Sequence, residues 1–341
     1  MRSLIRVLVT AVAGDLGQAI IKALRLSSFS LEIHGCDLEP DSYGAAFVES
    51  YHPVPPARAP EYVLALDTLC RNLDLQAVVP ASEPEILALG GRCLPCGVPV
   101  VSQPREWLGI YADKLATMQA LAGQVELGAF ADGADLLAVG TLVAQCGFPI
   151  VVKARQSSGS RSLRVAQSRA ELDMALAATS LPIVQEYLDE SGGEFSVGVF
   201  RCTDFETAVA FKRKLGATVG LSWQAEVIQS PEVCDYALRV TRAAEAMGSL
   251  NVQLRLTSVG PRLLEINPRF SSLVAARAAC GFRDVEWSLA LALGLPLCSP
   301  SEPYRPLHFH RFYHEVVDLG NGFGVLPAWM PRVVLGPEMK E

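Results

Sequence analysis

The stretch Leu264-Glu265-Ile266-Asn267-Pro268-Arg269, with Asn251-Val252-Gln253 upstream of it, contains the most specific pattern in the chain. Alternation along a strand places Glu265 and Asn267 on the same face, two residues apart. Gln253, on a neighbouring strand, can complete a cluster of oxygen ligands. Mg²⁺ prefers such hard oxygen donors and fills its remaining positions with phosphate oxygens and water. The pattern therefore predicts a metal site formed by these three side chains.

Cations and small residues elsewhere in the chain predict a phosphate site. Lys153 lies near the end of the predicted strand 149–154, and the polar loop Gln156-Ser157-Ser158-Gly159-Ser160-Arg161 follows it. Small residues let backbone N–H groups converge on phosphate oxygens, and Lys153 and Arg161 can add cationic contacts. Arg269 comes just after the metal pattern, where a guanidinium can contact a transferred phosphate or a carboxylate.

Three further pieces extend the pattern to a nucleotide. Asp113-Lys114 begins a predicted helix. Val184-Gln185-Glu186-Tyr187-Leu188 is a predicted strand that runs into a linker, where backbone amides can pair with an adenine edge and apolar neighbours can sandwich the ring. Glu194 follows, next to two glycines, and a carboxylate there can accept hydrogen bonds from ribose hydroxyls. Five pieces in a fixed order therefore predict one nucleotide site.

The first hundred residues alternate strand and helix patterns. Apolar runs predict strands at 5–10, 31–36, 77–80 and 98–101, and helical patterns lie at 15–26, 61–71 and 84–90. This β-α-β-α order is typical of a parallel, doubly wound sheet.

After Pro104 the pattern changes to mixed α+β. Predicted helices cover 113–121, 135–146, 168–178 and 231–247, and predicted strands cover 149–154, 183–187, 194–200, 207–212, 251–257 and 262–266. A chain of 341 residues is long for one compact core, so several packed lobes are expected. The predicted division is 1–104, 105–187, 188–300 and 301–341, the last being a strand and tail that contain His308, His310 and His314.

The turn after the first predicted strand leaves an alternative function open. Dinucleotide-binding folds carry Gly-x-Gly-x-x-Gly at this place, but Val12 stands at the first glycine position. Gly14 and Gly17 remain, and Asp37 lies 20 residues beyond Gly17, where an acid that binds ribose would be. An NAD(P)-dependent oxidoreductase is therefore the alternative, and close packing of a helix on the turn is the other explanation of the glycines.

Composition excludes several classes of partner. The 29 basic and 36 acidic residues give a net charge of −7, which provides no electrostatic footprint for nucleic acid or anionic lipid. No apolar run approaches the roughly 20 residues that span a bilayer, and the short run 7–13 is expected to be a buried strand rather than a secretory signal. The nine cysteines fit reduced thiols better than a disulfide framework. A cytoplasmic protein is therefore predicted, without nucleic-acid or membrane partners.

The ordered pieces resemble the ATP-grasp superfamily, and within it the branch of the carbamoyl phosphate synthase large subunit and the L-amino acid ligases. The resemblance covers roughly residues 4–300. It implies an α/β chain with an N-terminal doubly wound, pre-ATP-grasp parallel sheet followed by a two-subdomain α+β ATP-grasp fold. It also implies ATP and Mg²⁺ as cofactors, with Mn²⁺ as a substitute.

The predicted site residues fall into three groups. The nucleotide contacts are Lys114, Lys153, Ser158, Gly159, Ser160, Glu186, Tyr187, Leu188, Glu194 and Lys212, the metal ligands are Gln253, Glu265 and Asn267, and the catalytic cations are Lys153, Arg161 and Arg269. Candidates for holding a substrate carboxylate are Arg161, Lys212, Arg213 and Arg277.

The resemblance implies an ATP-dependent ligase that activates a small-molecule carboxylate as an acyl phosphate and passes it to an amine, releasing ADP and phosphate. A homodimer is left open. Ala154 stands where the family usually has proline, and Ser157, Ser158 and Ser162 stand where glycines are common. A nucleotide-binding protein that has lost catalysis is therefore a third hypothesis. The chain carries one ATP-grasp copy, so carbamoyl phosphate synthesis by this chain alone is not expected.

Overall fold

The computed structural model describes residues 4–90, 93–156, 163–214, 222–311, 316–318 and 323–325. Within these ranges the chain forms a parallel sheet followed by two larger antiparallel assemblies and a small hairpin. The predicted α/β fold class is confirmed. None of the helices in these ranges is both long and apolar enough to cross a bilayer.

The N-terminal sheet has the strand order β3-β2-β1-β4 and is parallel throughout. Its elements are β1 (Ile5–Val9), α1 (Asp15–Arg25), β2 (Leu31–Asp37), a 3-10 helix (Tyr43–Phe47), β3 (Ser50–Pro53), α2 (Tyr62–Asn72), β4 (Ala77–Val79) and α3 (Glu83–Leu89). The apolar strands β1 and β4 are buried on both faces, as expected of a doubly wound sheet. The sequence did not predict β3. The strand predicted at 98–101 is wrong, because this segment contributes only the single bridge of Val100 to Val78.

The glycines after β1 serve close packing. A Cβ at Gly17 would lie 2.3 Å from the carbonyl oxygen of Ala11, so α1 approaches the turn more closely than any side chain allows. The 3-10 helix covers the same turn, and the Tyr43 hydroxyl donates to the Ala13 carbonyl oxygen at 2.5 Å. The Asp37 carboxylate accepts the Ala13 N–H at 2.8 Å. The packing explanation of the glycines is thus the one that the contacts support.

Substituting Gly17 by alanine is expected to destabilise the protein by about 1–3 kcal/mol, because the new methyl group overlaps backbone atoms that cannot move aside. The measurement is the free energy of unfolding in urea. Gly140, within a helix, is the matched control because nothing lies within 4 Å of its added Cβ. There, alanine is expected to stabilise by roughly 0.5–1 kcal/mol through its better helix propensity. Equal effects at the two positions would contradict the packing explanation.

The second sheet has the order β5-β8-β6-β7 and is antiparallel. The elements of this part are α4 (Arg105–Tyr111), α5 (Lys114–Leu121), β5 (Phe130–Asp132), α6 (Leu136–Cys146), β6 (Ile150–Ala154), β7 (Arg164–Ala166), α7 (Arg169–Ala177) and β8 (Pro182–Glu186). Asp113 caps α5, since its Oδ1 accepts the N–H groups of Leu115 and Ala116. Helices α5, α6 and α7 and strands β6 and β8 agree with the prediction to within one or two residues, whereas α4 and β5 were not predicted.

The third sheet is antiparallel, with the order β13-β12-β9-β10-β11-β14. Its elements are β9 (Glu194–Arg201), β10 (Glu206–Arg213), β11 (Gln224–Ile228), α8 (Pro231–Ala243), β12 (Gly248–Thr257), β13 (Gly260–Asn267), α9 (Val274–Cys280), α10 (Asp284–Ala292) and β14 (His308–His310), followed by the hairpin β15 (Val316–Asp318) and β16 (Phe323–Val325). One face packs on α5 and α8, and the other packs on α9 and α10. The predicted extension of α8 to Met247 is wrong, because the helix ends at Ala243 and Glu245 adopts a positive φ of 52°.

Candidate functional site

A cavity of about 220 Å³ lies between the second sheet and the third. Its walls include side chains from α5, β6, the end of β8, and β9, β12 and β13. Its lining includes the predicted residues Lys114, Lys153, Glu186, Tyr187, Glu194, Arg213, Gln253 and Glu265. It also includes Arg255, which was not predicted. Leu188 and several aliphatic side chains complete the lining. The cavity thus joins pieces that are far apart in the sequence.

The acid and the amides of the predicted metal cluster meet on one face of the third sheet. Gln253 of β12 is directly opposite Glu265 of β13, and Asn251 is opposite Asn267. Cross-strand partners on one face have Cβ atoms about 4.5–5.5 Å apart, so these groups are neighbours. The Asn267 amide donates to Glu265 Oε1 at 3.2 Å, which leaves Asn267 Oδ1 as an acceptor. The geometry expected from strand alternation is therefore present.

This donor set suits a cation that is held jointly with phosphate. It offers one carboxylate and two amide oxygens, which are hard donors of the kind Mg²⁺ takes. In the part of the chain that the structure describes, no group of three or more His, Cys, Asp or Glu side chains could hold a metal. Glu265, Asn267 and Gln253 therefore fit an ion whose remaining ligands are phosphate oxygens and water, rather than a metal held by the protein alone.

Two lysines lie beside the acid. Lys114 Nζ, from the start of α5, is 3.6 Å from Glu265 Oε2. Lys153, near the end of β6, lines the same cavity, and burial lowers its pKa, while the charge of Glu265 opposes that shift and the charge of Lys114 adds to it. Two lysines beside Glu265 place cations at this end of the cavity, which suits an anionic group such as a phosphate.

Glu194 is held by two arginines. Its Oε1 accepts from Arg213 and its Oε2 lies 3.2 Å from Arg255 Nη2. Arg255 is directly opposite Glu194 in the strand register. The Nε atoms of both arginines are buried and have no partner among the described residues. The carboxylate predicted to hold ribose is therefore the acid of a buried ion-pair cluster with two arginines. Arg255 was not predicted from the sequence.

The predicted adenine edge, 186–188, belongs to the same lining. The Glu186 carboxylate accepts the Ala129 N–H at 2.8 Å, so its side chain fixes the neighbouring segment. The Leu188 carbonyl oxygen accepts from Arg255 Nη1 at 2.9 Å, and the Arg255 guanidinium lies 5.9 Å from the centre of the Tyr187 ring. The segment lines the cavity as predicted, and Arg255 connects it to Glu194.

A further ion pair fixes the entrance to α5. Arg155, just after β6, has its Nε 3.0 Å from Oδ1 and its Nη2 2.8 Å from Oδ2 of Asp113, and its carbonyl oxygen accepts the Lys114 N–H at 3.0 Å. A bidentate arginine–carboxylate pair is geometrically specific. Arg155 therefore couples the position of Lys114 to the strand that carries Lys153.

Four predicted loop residues, Ser158, Gly159, Ser160 and Arg161, lie outside the described residues, as does His314. Lys212 is described but does not line this cavity. It is opposite Phe195 in the register and shares that residue's face of the sheet, whereas the next residue, Arg213, points to the face of Glu194. Arg269 lines a neighbouring cavity, together with Gln103.

The prediction that Arg277 can hold a substrate carboxylate is wrong. Its side chain is fully buried and pairs with Asp284, with Nη1 3.0 Å from Oδ2. Its Nη2 donates to Asn251 Oδ1, which also accepts from Ser196 at 2.8 Å. Ser249 donates to Asp284 at 2.8 Å. Arg277 is therefore committed to a network that ties α9 and α10 to the third sheet.

Comparison with known proteins gives a partial family match and extensive structural matches. The family model described as ATP-grasp in the biosynthetic pathway with Ter operon matches residues 180–312. A stretch of 71 residues is 45% identical to carnosine synthase 1 of Gallus gallus, but this stretch covers 20% of this chain and only 8% of the chicken protein.

Two solved structures represent the fold matches. The ADP complex of N5-carboxyaminoimidazole synthetase from Staphylococcus aureus has a TM-score of 0.72 at 13% identity, covering 92% of this chain and 83% of that chain. The biotin carboxylase domain of the Hydrogenobacter thermophilus 2-oxoglutarate carboxylase, in complex with MgADP, ADP and bicarbonate, has a TM-score of 0.67 at 13% identity, covering 86% and 70%. Residues 180–312 are thus similar to an ATP-grasp family, and most of the chain shares the fold of these two structures.

Proposed function

We propose that this protein is an ATP- and Mg²⁺-dependent ligase that joins a small-molecule carboxylate to an amine through an acyl phosphate. The observation that carries the proposal is the meeting of Lys114, Lys153 and the Gln253–Glu265 pair around one cavity. The nucleotides printed for the two similar structures, ADP and MgADP, support the choice of ligand. The proposal includes the division of the chain at residues 1–104, 105–187, 188–300 and 301–341.

Each site group has a role in this proposal. Lys114 and Lys153 bind phosphate oxygens and offset the charge that develops on the transferred group. Glu265, Asn267 and Gln253 hold Mg²⁺, which supplies electrostatic stabilisation of the phosphoryl group when bound. Arg269 contacts the acyl phosphate. A carboxylate oxygen of the substrate attacks the γ-phosphorus, the bond from this phosphorus to the β–γ bridging oxygen breaks, and ADP is the leaving group. The amine then attacks the carbonyl carbon, the C–N bond forms as the amine loses a proton, and phosphate leaves with the bonding electrons of the broken C–O bond.

The test is a turnover assay resolved by product. The protein is incubated with Mg·ATP and pooled carboxylates and amines, ADP and AMP are quantified separately, and coupled products are sought by mass spectrometry. ADP formation that depends on both pools, together with a new mass equal to acid plus amine minus water, is the expected result. AMP as the nucleotide product would contradict the acyl-phosphate route. Binding of Mg·ATP with no turnover in any pool would favour a protein that has lost catalysis.

Thermal-shift measurements separate the ligase from the oxidoreductase hypothesis. Selective ligand binding to the folded state raises the melting temperature. Mg·ATP is expected to raise it and NAD(P)H is not, because the turn after β1 is covered by the 3-10 helix and Asp37 already accepts the Ala13 N–H. Stabilisation by NAD(P)H alone would reverse this conclusion.

Nucleotide affinity is expected to fall at high pH because of Lys153. Its pKa is lowered, mainly by burial, so the ammonium loses its charge at a lower pH than an ordinary lysine, whose pKa is about 10.4. Lys153→Arg keeps its charge throughout and is expected to retain affinity at pH values where the wild-type protein has lost it. Dissociation constants for Mg·ATP, measured by calorimetry between about pH 7 and 10, check this. Parallel pH profiles for the two proteins would contradict the assignment of Lys153.

A further inference from the structure

Arg255 of β12 contacts two segments that are predicted to bind a nucleoside. Its Nη1 donates to the Leu188 carbonyl oxygen at 2.9 Å, at the end of the predicted adenine edge. Its Nη2 donates at 3.2 Å to Oε2 of Glu194, the acid predicted to hold ribose. A guanidinium is planar and rigid, so the directions of its donors are fixed relative to one another. One side chain therefore sets the spacing between these two segments.

The linker between the two segments lies against the end of β12. The Gly192 N–H donates to the Leu256 carbonyl oxygen at 3.0 Å, and the Gly193 carbonyl oxygen accepts the Leu256 N–H at 3.0 Å. A Cβ at Gly192 would lie 2.5 Å from the same Leu256 oxygen, so only glycine permits this approach. Backbone contacts thus hold the part of the linker before β9, and Arg255 holds the part after β8.

Glu194 is held from both neighbouring strands. In the third sheet β9 lies between β12 and β10, which supply Arg255 and Arg213 respectively. Each arginine pairs with a different carboxylate oxygen, so the carboxylate plane is fixed from two sides. A carboxylate has about four lone-pair sites, and each oxygen can still accept from a ligand hydroxyl. The acid is therefore oriented before a nucleotide binds.

A fourth charged residue completes the cluster. Glu190, in the linker, has its Oε1 3.4 Å from Arg255 Nη1 and accepts the Tyr187 hydroxyl at 3.0 Å. Its side chain is 50% exposed, whereas those of Glu194 and Arg255 are 10% and 13% exposed. If Arg255 is replaced by a neutral residue, Glu194 keeps Arg213 as its counter-charge and Glu190 can be solvated. Such a replacement is therefore compatible with folding.

We infer that Arg255 is a positioning residue that makes the cavity recognise the base and the ribose of an adenine ribonucleotide as one unit. It fixes the adenine edge relative to Glu194, and this spacing matches the one that the glycosidic bond imposes between the base and the ribose hydroxyls. It takes no part in the transfer of the phosphoryl group. The inference rests on the proposed function for the identity of the nucleotide.

The experiment compares three nucleotides as their Mg²⁺ complexes, titrated by calorimetry into the full-length protein without organic substrates. ATP is compared with 2′,3′-dideoxy-ATP, which lacks both ribose hydroxyls, and with ITP, which has an oxygen in place of the 6-amino group. The wild-type protein is expected to bind ATP at least about tenfold more tightly than either analogue, because each analogue leaves a polar group of the site without its partner. Equal affinity for ATP and dideoxy-ATP would overturn the inference.

Arg255→Met is expected to lower both affinity ratios, ATP to dideoxy-ATP and ATP to ITP, to less than about threefold. ATP loses the most affinity, since it alone makes both of the contacts that Arg255 organises. An arginine that merely supported the cavity wall would lower all three affinities by the same factor. Unchanged ratios in Arg255→Met would therefore overturn the inference.

Two other arginines provide controls. Arg213 pairs with the other oxygen of Glu194 but belongs to β10, across β9 from Arg255. Arg213→Met is expected to lower the ratio of ATP to dideoxy-ATP and to keep the ratio of ATP to ITP. Equal loss of the ratio of ATP to ITP in Arg213→Met and Arg255→Met would overturn the inference. Arg239→Met, which removes the arginine of the exposed pair with Glu126, should change neither ratio.

The melting temperature without ligand establishes that each variant is folded, and Arg255→Gln takes the place of Arg255→Met if the latter does not fold. Failure of the wild-type protein to bind Mg·ATP would contradict the proposed function and this inference with it. Binding of Mg·ATP with ratios that neither Arg255 variant changes would contradict the inference alone. The expected ratios in a protein that never forms ADP would support the role of Arg255 and contradict the ligase.

Discussion

Replacing Glu265 by alanine is expected to lower ADP production about a hundredfold or more, which is the effect of removing one preorganised charged contact worth about 2.7–4 kcal/mol. The structure gives the reason. Glu265 is the single carboxylate of the Gln253–Glu265–Asn267 set, and it also lies 3.6 Å from Lys114 Nζ. Its removal takes away a proposed metal ligand and one counter-charge of Lys114. The rate of ADP formation at saturating ATP, measured over a range of Mg²⁺ concentrations, is the readout.

The control for this variant is another acid on the same protein. Glu126 forms an exposed pair with Arg239, with side chains 52% and 46% exposed, and Glu126→Ala should leave the rate nearly unchanged. The specific signature of Glu265→Ala is a rise in the Mg²⁺ concentration that gives half-maximal activity. A merely destabilised protein would lose rate without a change in this concentration. Near-normal turnover in Glu265→Ala would contradict the assignment of Glu265 as a metal ligand.

Removing Asp284 is expected to be the most damaging single change to stability. Asp284→Ala leaves Arg277 buried beneath the third sheet, with no counter-charge among the described residues. Breaking a buried pair on one side costs about 3–5 kcal/mol. The free energy of unfolding, measured by urea denaturation and linear extrapolation, should fall by this amount.

Two comparisons test whether the uncompensated charge is the cause. The double variant Arg277→Met, Asp284→Leu removes both charges and is expected to recover most of the loss, because an apolar pair of similar volume can replace a buried ion pair. Asp173→Ala breaks an exposed i,i+4 pair with Arg169 and should cost no more than about 0.5 kcal/mol. A double variant as unstable as the single one would show that packing, and not charge, dominates at this position.

Local patterns predicted the parts of the molecule that depend on one strand or one turn. The apolar run of β1 and the alternation of Glu265 and Asn267 follow from backbone geometry alone, and the strand register agrees with both. The meeting of Gln253 with Glu265 was also expected, because a short turn joins β12 to β13. These features need no knowledge of distant contacts.

Residues whose role depends on tertiary contacts could not be placed in the same way. Lys212 and Arg213 are adjacent, and the phase of the strand decides which of them faces Glu194. That phase is set by the packing of the other face against α8. Arg277 pairs with Asp284 and Asn251, which belong to other elements, so an arginine that looked available from sequence is fully buried. Arg255 was missed because its partners, Leu188 and Glu194, are about sixty residues away.

The nucleotide cavity and the neighbouring cavity lined by Arg269 take residues from different positions of β12, Gln253 and Ser249, and share no lining residue. Substitutions that remodel the walls near Gln103 and Leu291 therefore leave Lys114, Lys153 and Glu265 untouched. The shape of the neighbouring cavity can therefore change without altering the side chains to which the proposed function assigns the nucleotide.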